Sequence, residues 1–149
     1  MAIPISIDPR DGSISLGDDI RLEAFQKRRA IEPRISDLVE TTQDHCNNYE
    51  WLHLRELSFG GHPAWLALCF HGGRLDQVSW SVRLPTVSRE DRWPSREEID
   101  EEIAFVRSAL ARDGLNVGEG DTTCPWGTVW SHYDPRGDLA SHGLRYQRA

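Results

Sequence analysis

Apolar and polar residues alternate at the start of the chain. Ile3, Ile5 and Ile7 are interleaved with Pro4, Ser6 and Asp8, the period of two that a half-buried strand requires. Asp8-Pro9-Arg10-Asp11-Gly12 reads as a turn, because proline presets one backbone angle and glycine supplies a positive φ. Ser13-Ile14-Ser15-Leu16 returns as a second strand. Pro4 lacks an amide donor near the start of the first strand, which points to a sheet edge.

After Gly17 the spacing becomes helical. Asp18 or Asp19 can cap a helix starting near Ile20, and Leu22, Phe25 and Arg29 share a face, so a short helix is predicted to about Arg29. Ile35, Leu38 and Val39 fit a second short helix with Pro33 or Arg34 in its first turn. The polar stretch from Thr41 to Asn48 reads as a loop.

A sheet core follows. From Tyr49 to Leu57, Leu52 and Leu54 share one face while Trp51, His53 and Arg55 take the other. Ala64 to Phe70 is apolar on both faces, as in a central strand covered on at least one side. Leu75, Val78, Trp80 and Val82 alternate with polar residues, with a slip near Gln77 that predicts a bulge. Gly60-Gly61 and Gly72-Gly73 supply the turns of an antiparallel meander.

Pro85 to Pro94 is an exposed connection containing Trp93. Ser95-Arg96-Glu97-Glu98 is a capping box, and Ile99, Ile103, Val106 and Leu110 form one apolar stripe down a helix from about Arg96 to Arg112. Gly114 closes it. The last quarter, from Cys124 through Trp130 and the Asp134-Pro135-Arg136-Gly137 turn to Tyr146, predicts a closing hairpin. The sum is an α+β two-layer sandwich in one domain, residues 1–149. Its antiparallel sheet has about six or seven strands, with one long helix (96–112) and one or two short helices.

Charge narrows the partners. The net charge of −7 argues against nucleic acid and anionic membrane surfaces and is compatible with a basic partner. No window is long and apolar enough for a transmembrane helix, and the opening residues carry no basic segment or long apolar run of a signal peptide. Cys46, Cys69 and Cys124 are odd in number and contain no C-x-x-C pair, which fits a reducing compartment. A cytoplasmic protein is the expectation.

Chemistry-bearing motifs are weak. None of the six histidines has helical metal spacing, although His132 and His142 could face each other across the final hairpin. The chain has no nucleophile elbow and no phosphate loop. No catalytic residue, metal or cofactor is assigned. Glu97, Glu98, Asp100, Glu101 and Glu102 crowd the helix start, where the macrodipole stabilises carboxylates and where a cationic partner could also dock. Trp51 and Trp93 fall on polar or loop segments, and an exposed tryptophan is a typical binding hot spot.

Three stretches carry a family resemblance: Ile5 to Gly17, Leu68 to Leu75, and Pro125-Trp126-Gly127-Thr128-Val129-Trp130-Ser131-His132-Tyr133-Asp134-Pro135-Arg136-Gly137. The chain resembles small bacterial proteins of uncharacterised or immunity type from polymorphic-toxin and type VI secretion systems. Cys124 stands where an aromatic is expected in that group. The resemblance implies a non-enzymatic immunity protein that occludes a cognate toxin. The contact residues then expected are Trp93, Glu97, Glu98, Glu101 and Glu102. The alternatives are a ligand-binding or scaffold module, with a pocket at Trp51 or Trp130, and an enzyme in which His132 or His142 meets an acid in a cleft.

Overall fold

The computed structural model describes residues 2–44, 46–85 and 93–147. Its strands are β1 (Ile3–Ile7), β2 (Ile14–Leu16), β3 (Ile20–Leu22), β4 (Val39–Asp44), β5 (Tyr49–Phe59), β6 (His62–His71), β7 (Arg74–Val82), β8 (Thr122–Cys124), β9 (Gly127–Asp134) and β10 (Leu139–Tyr146). Helix α1 spans Arg28–Ile35 and α2 spans Arg96–Arg112. All ten strands join one sheet in the order β3-β2-β1-β5-β6-β7-β10-β9-β8, with β4 paired to β5 off this path.

The sheet is larger than the six or seven strands expected, because three strands leave no period-two signature. β3 and β8 are three residues each, too short to show one. β4 is Val-Glu-Thr-Thr-Gln-Asp, exposed at every position after Val39, so neither of its faces is apolar. The expected loop at 41–48 is therefore half strand; His45 lies outside the described residues, as do positions 86–92 of the connection.

The sheet is also not wholly antiparallel. β1 runs parallel to β5 through Ile3–Leu57 and Pro4–Ser58. β4 pairs antiparallel with the first half of β5 and β1 with the second, so two strands share one side of β5 in tandem. Between the halves the β5–β6 register slips from Leu54 to Leu57, and Glu56 takes a φ of 62°. This bulge lets Leu52, Leu54, Leu57 and Phe59 all face inward despite the odd step. Pro4 does not mark an edge, since β1 lies between β2 and β5; it sits at the end of a ladder only two pairs long.

The two short helices resolve differently. Ile20–Leu22 is a strand, and one helix, α1, straddles both predicted spans with Pro33 inside it. Ile31 and Ile35 are its buried face. The bulge in β7 is present, where Cys69 pairs with Gln77 but Phe70 pairs with Leu75.

α2 begins as the capping box requires. The Ser95 hydroxyl accepts from the Glu98 amide at 3.2 Å, and the Ser95 amide donates to the Glu98 carboxylate at 2.9 Å. Its stripe of Ile99, Ile103, Val106, Ala109 and Leu110 is buried, and α2 packs on β9 and β10. Leu52, Leu54, Leu66, Leu68, Val78, Leu144 and Val129 are buried on the inner face of the central strands. Each fully buried aliphatic side chain of this kind contributes about 1.5–3 kcal/mol. The residues between them, including His53, Trp65, Ala67, Ser79 and Ser81, lie on the outer face and retain solvent exposure.

Candidate interaction surface

The acidic start of α2 meets the turn of the final hairpin. The Trp93 indole is 59% exposed, and its Nε1 donates to the Asp138 carbonyl at 2.8 Å. Beside it the Arg96 guanidinium sits 3.7 Å over the Tyr133 ring while Nε bonds to Asp100 at 3.0 Å. The Tyr133 hydroxyl donates to the Asp138 carboxylate at 2.6 Å, an interaction that holds the phenol above its usual range.

The five residues expected to form a contact surface do not act alike. Trp93, Glu97 and Glu101 are exposed. Glu98 serves the cap of α2. Glu102 turns inward, where its Oε2 lies 2.7 Å from Nε2 of His142.

His142 and His132 do not face each other. Across the hairpin His142 pairs with Ser131 and His132 with Ser141, so the two imidazoles take opposite faces of the sheet. His132 reaches toward Asp121 at 3.9 Å near the β8 end. The His142 side chain has no solvent exposure; Nδ1 lies 2.8 Å from the Ser131 hydroxyl and the ring stacks on Trp80. With Nε2 donating to the carboxylate, Nδ1 accepts from Ser131, and both imidazole nitrogens and the Ser131 hydroxyl have partners. The order serine, imidazole, carboxylate is that of a nucleophilic triad, but Ser131 has 0% exposure. A substrate has no path to that hydroxyl, and the network acts as a polar clamp between α2 and β10. One sequence signal could have shown it: Glu102 stands three residues after Ile99, at the margin of the buried stripe.

The outer face of the sheet carries a hollow of about 380 Å³. Its origin is the register. His53, Ala67, Ser79, Gly143 and Trp130 stand opposite one another across five strands; the small Ala67 and Ser79 floor the hollow, while the space over Gly143 is filled by Trp130. Trp130 lies over Gly143, and its Nε1 donates to the Ser141 hydroxyl at 3.0 Å. Trp65, 39% exposed, stands next to Ser81 and forms one wall; Glu40, Thr41 and Gln43 of β4 form another. The sequence expectation named Trp51 and Trp130 as pocket residues; neither lines this hollow, and the tryptophan that does so openly is Trp65.

Two other hollows differ in sign. One, at the Gly72–Gly73 turn, is lined by Lys27, Arg28, Arg29 and Arg74, with Arg28 tied to Glu32 and Glu50. The other, between α2 and β9, mixes Arg96 and Arg107 with Asp100 and Glu119. Among the described residues no three His, Cys, Asp or Glu side chains cluster as a metal site, and no helix is long and apolar enough to cross a membrane. Burial pushes the Cys69 thiol up to about 11.

No protein-family model matches the chain, and no curated protein matches it. Among solved structures it is similar to a chain of Rhs1-CT in complex with cognate immunity protein RhsI1, with a TM-score of 0.53. Identity is 12%, over 96% of this chain and 87% of the other. The likeness is one of fold, and it extends over nearly the whole chain.

Proposed function

We propose that this chain is an immunity protein that binds a cognate bacterial toxin domain in the cytoplasm and neutralises it by occlusion, without catalysis of its own. The observation that carries the reading is the fold likeness to a chain of the Rhs1-CT–RhsI1 complex, joined to the resemblance borne by the two hairpins and the β6–β7 turn. The acidity of the chain favours a basic partner. The sealed Ser131 hydroxyl argues against reading the Ser131–His142–Glu102 order as a catalytic site.

The test is growth of a bacterial host expressing the product of the gene immediately upstream, as the candidate toxin. Co-expression of the chain restores growth if the reading holds. Undiminished killing, with the chain present and soluble, removes it. A second reading, a ligand-binding module, draws on the 380 Å³ outer hollow; a thermal shift with one metabolite and no protection against the toxin would favour it.

A further inference from the structure

We propose that the outer hollow is where this chain takes hold of its partner, and that it receives an arginine or lysine side chain projecting from a partner loop. The proposal rests on the immunity reading above and names its contact surface.

Shape comes first. Ala67 and Ser79 lie in register on neighbouring strands, and these small residues leave a depression between Trp65 on one side and Glu40, Thr41 and Gln43 of β4 on the other. A flat sheet face would offer a partner only its surface; this one accepts a side chain.

Chemistry then selects the side chain. Glu40 is the one carboxylate of the lining and forms no ion pair among the described residues, while the His53 imidazole in the same lining is bonded to Gln43 at 3.2 Å. An indole wall attracts a cation through its ring face, and a carboxylate beside it supplies the countercharge. Hydroxyls of Thr41, Ser79 and Ser81 add acceptors for a guanidinium fork or an ammonium. The net charge of −7 draws such a group toward the whole molecule. The hollow at Gly72–Gly73 has the wrong sign for a cation, and Arg96 with Arg107 occupies the groove beside α2. An exposed tryptophan flanked by small residues and one unpaired acid is a hot-spot arrangement.

The test has two arms. In the first, the acetylated, amidated tripeptide Gly-Arg-Gly is titrated into the full chain and followed by NMR of the tryptophan indole N–H signals, assigned with a Trp65→Phe variant. The signal of Trp65 is expected to move, with binding at least fivefold weaker for the uncharged citrulline twin and at least threefold weaker in Glu40→Gln. No movement at Trp65, or equal binding of both peptides, overturns the proposal. In the second arm, toxin protection is compared for the wild type, Trp65→Ala, Glu40→Lys and a Glu97→Lys/Glu101→Lys pair, each checked for folding by circular dichroism. Loss of protection at Trp65 and Glu40, with protection kept by the α2 pair, is the expected result. The reverse pattern overturns the proposal and leaves the immunity reading standing. A wild type that gives no protection removes the reading itself, and the peptide arm then decides the hollow alone.

Discussion

Nε2 of His142 and Oε2 of Glu102 lie 2.7 Å apart beneath α2, joining a helix residue to a strand residue forty positions away. The contact places a carboxylate, expected on the surface, inside a closed polar network with Ser131. Removing one member leaves buried polar atoms without partners, which costs about 1–3 kcal/mol. Glu102→Ala and His142→Phe should each lower the unfolding free energy by that order, read from the shift of the urea midpoint. The double variant should lose less than the sum, since the two side chains act as a unit. Additive losses would show that they are not coupled.

Gly143 allows Trp130 to lie flat on β10. A Cβ there would stand 2.5 Å from Trp130 Cζ2 and 2.9 Å from the Val78 carbonyl oxygen. Gly143→Ala should destabilise by about 1–3 kcal/mol through overpacking and shift the tryptophan emission. A neutral effect with unchanged fluorescence would mean that the ring moves freely.

The cap of α2 offers a milder perturbation. Ser95→Ala removes the hydroxyl that accepts from the Glu98 amide, and thermal unfolding should report a loss of about 1 kcal/mol. Ser95→Asp should retain most of the stability, because its carboxylate accepts the same bond and suits the positive helix end.

Asp8 connects folding to acid. The Arg10 guanidinium and then the Arg10 amide hydrogen-bond its carboxylate and hold it below the usual carboxylate range. A carboxyl depressed by folding stabilises above its unfolded value, and that stability disappears as pH falls through the folded one. Asp8→Asn should therefore be less stable than the wild type near neutrality, with the gap closing below about pH 4. A gap that persists unchanged to pH 2 would contradict this assignment.

The three cysteines should differ in reactivity. Cys46 is exposed, whereas burial raises the Cys69 thiol to about 11. Iodoacetamide at pH 8, followed by peptide mass mapping, should label Cys46 first and leave Cys69 unlabelled until denaturant is added, because the thiolate is the reactive form. Early labelling of Cys69 in the native protein would contradict its burial.

Where apolar residues repeat over several turns or rungs, pattern and structure agree. The stripe Ile99–Ile103–Val106–Leu110 lies buried along α2, and the alternation in β1, β5 and β7 faces the core. The pattern failed where the elements were brief or polar. β3 has three residues whose spacing fits either period, and β4 gains its strand state from pairing with β5 rather than from a buried face of its own. The parallel pairing of β1 with β5 depends on a contact fifty-four residues apart, which local periodicity cannot encode. The same holds for the outer hollow: Ala67 and Ser79 are unremarkable along the chain and meaningful only once the register aligns them. Glu97 and Glu101 could be read from the sequence as surface acids, but the inward turn of Glu102 required the position of β10.

The central claim, that the molecule works by holding another protein, has a direct measurement. Purified chain is titrated into the purified product of the adjacent upstream gene, the candidate toxin, while heat of binding and toxin activity are followed together. The account predicts saturation at one-to-one stoichiometry with a submicromolar Kd, and toxin activity falling in step with occupancy. Toxin activity that stays constant at micromolar concentrations of the chain, with no heat of binding, would contradict it.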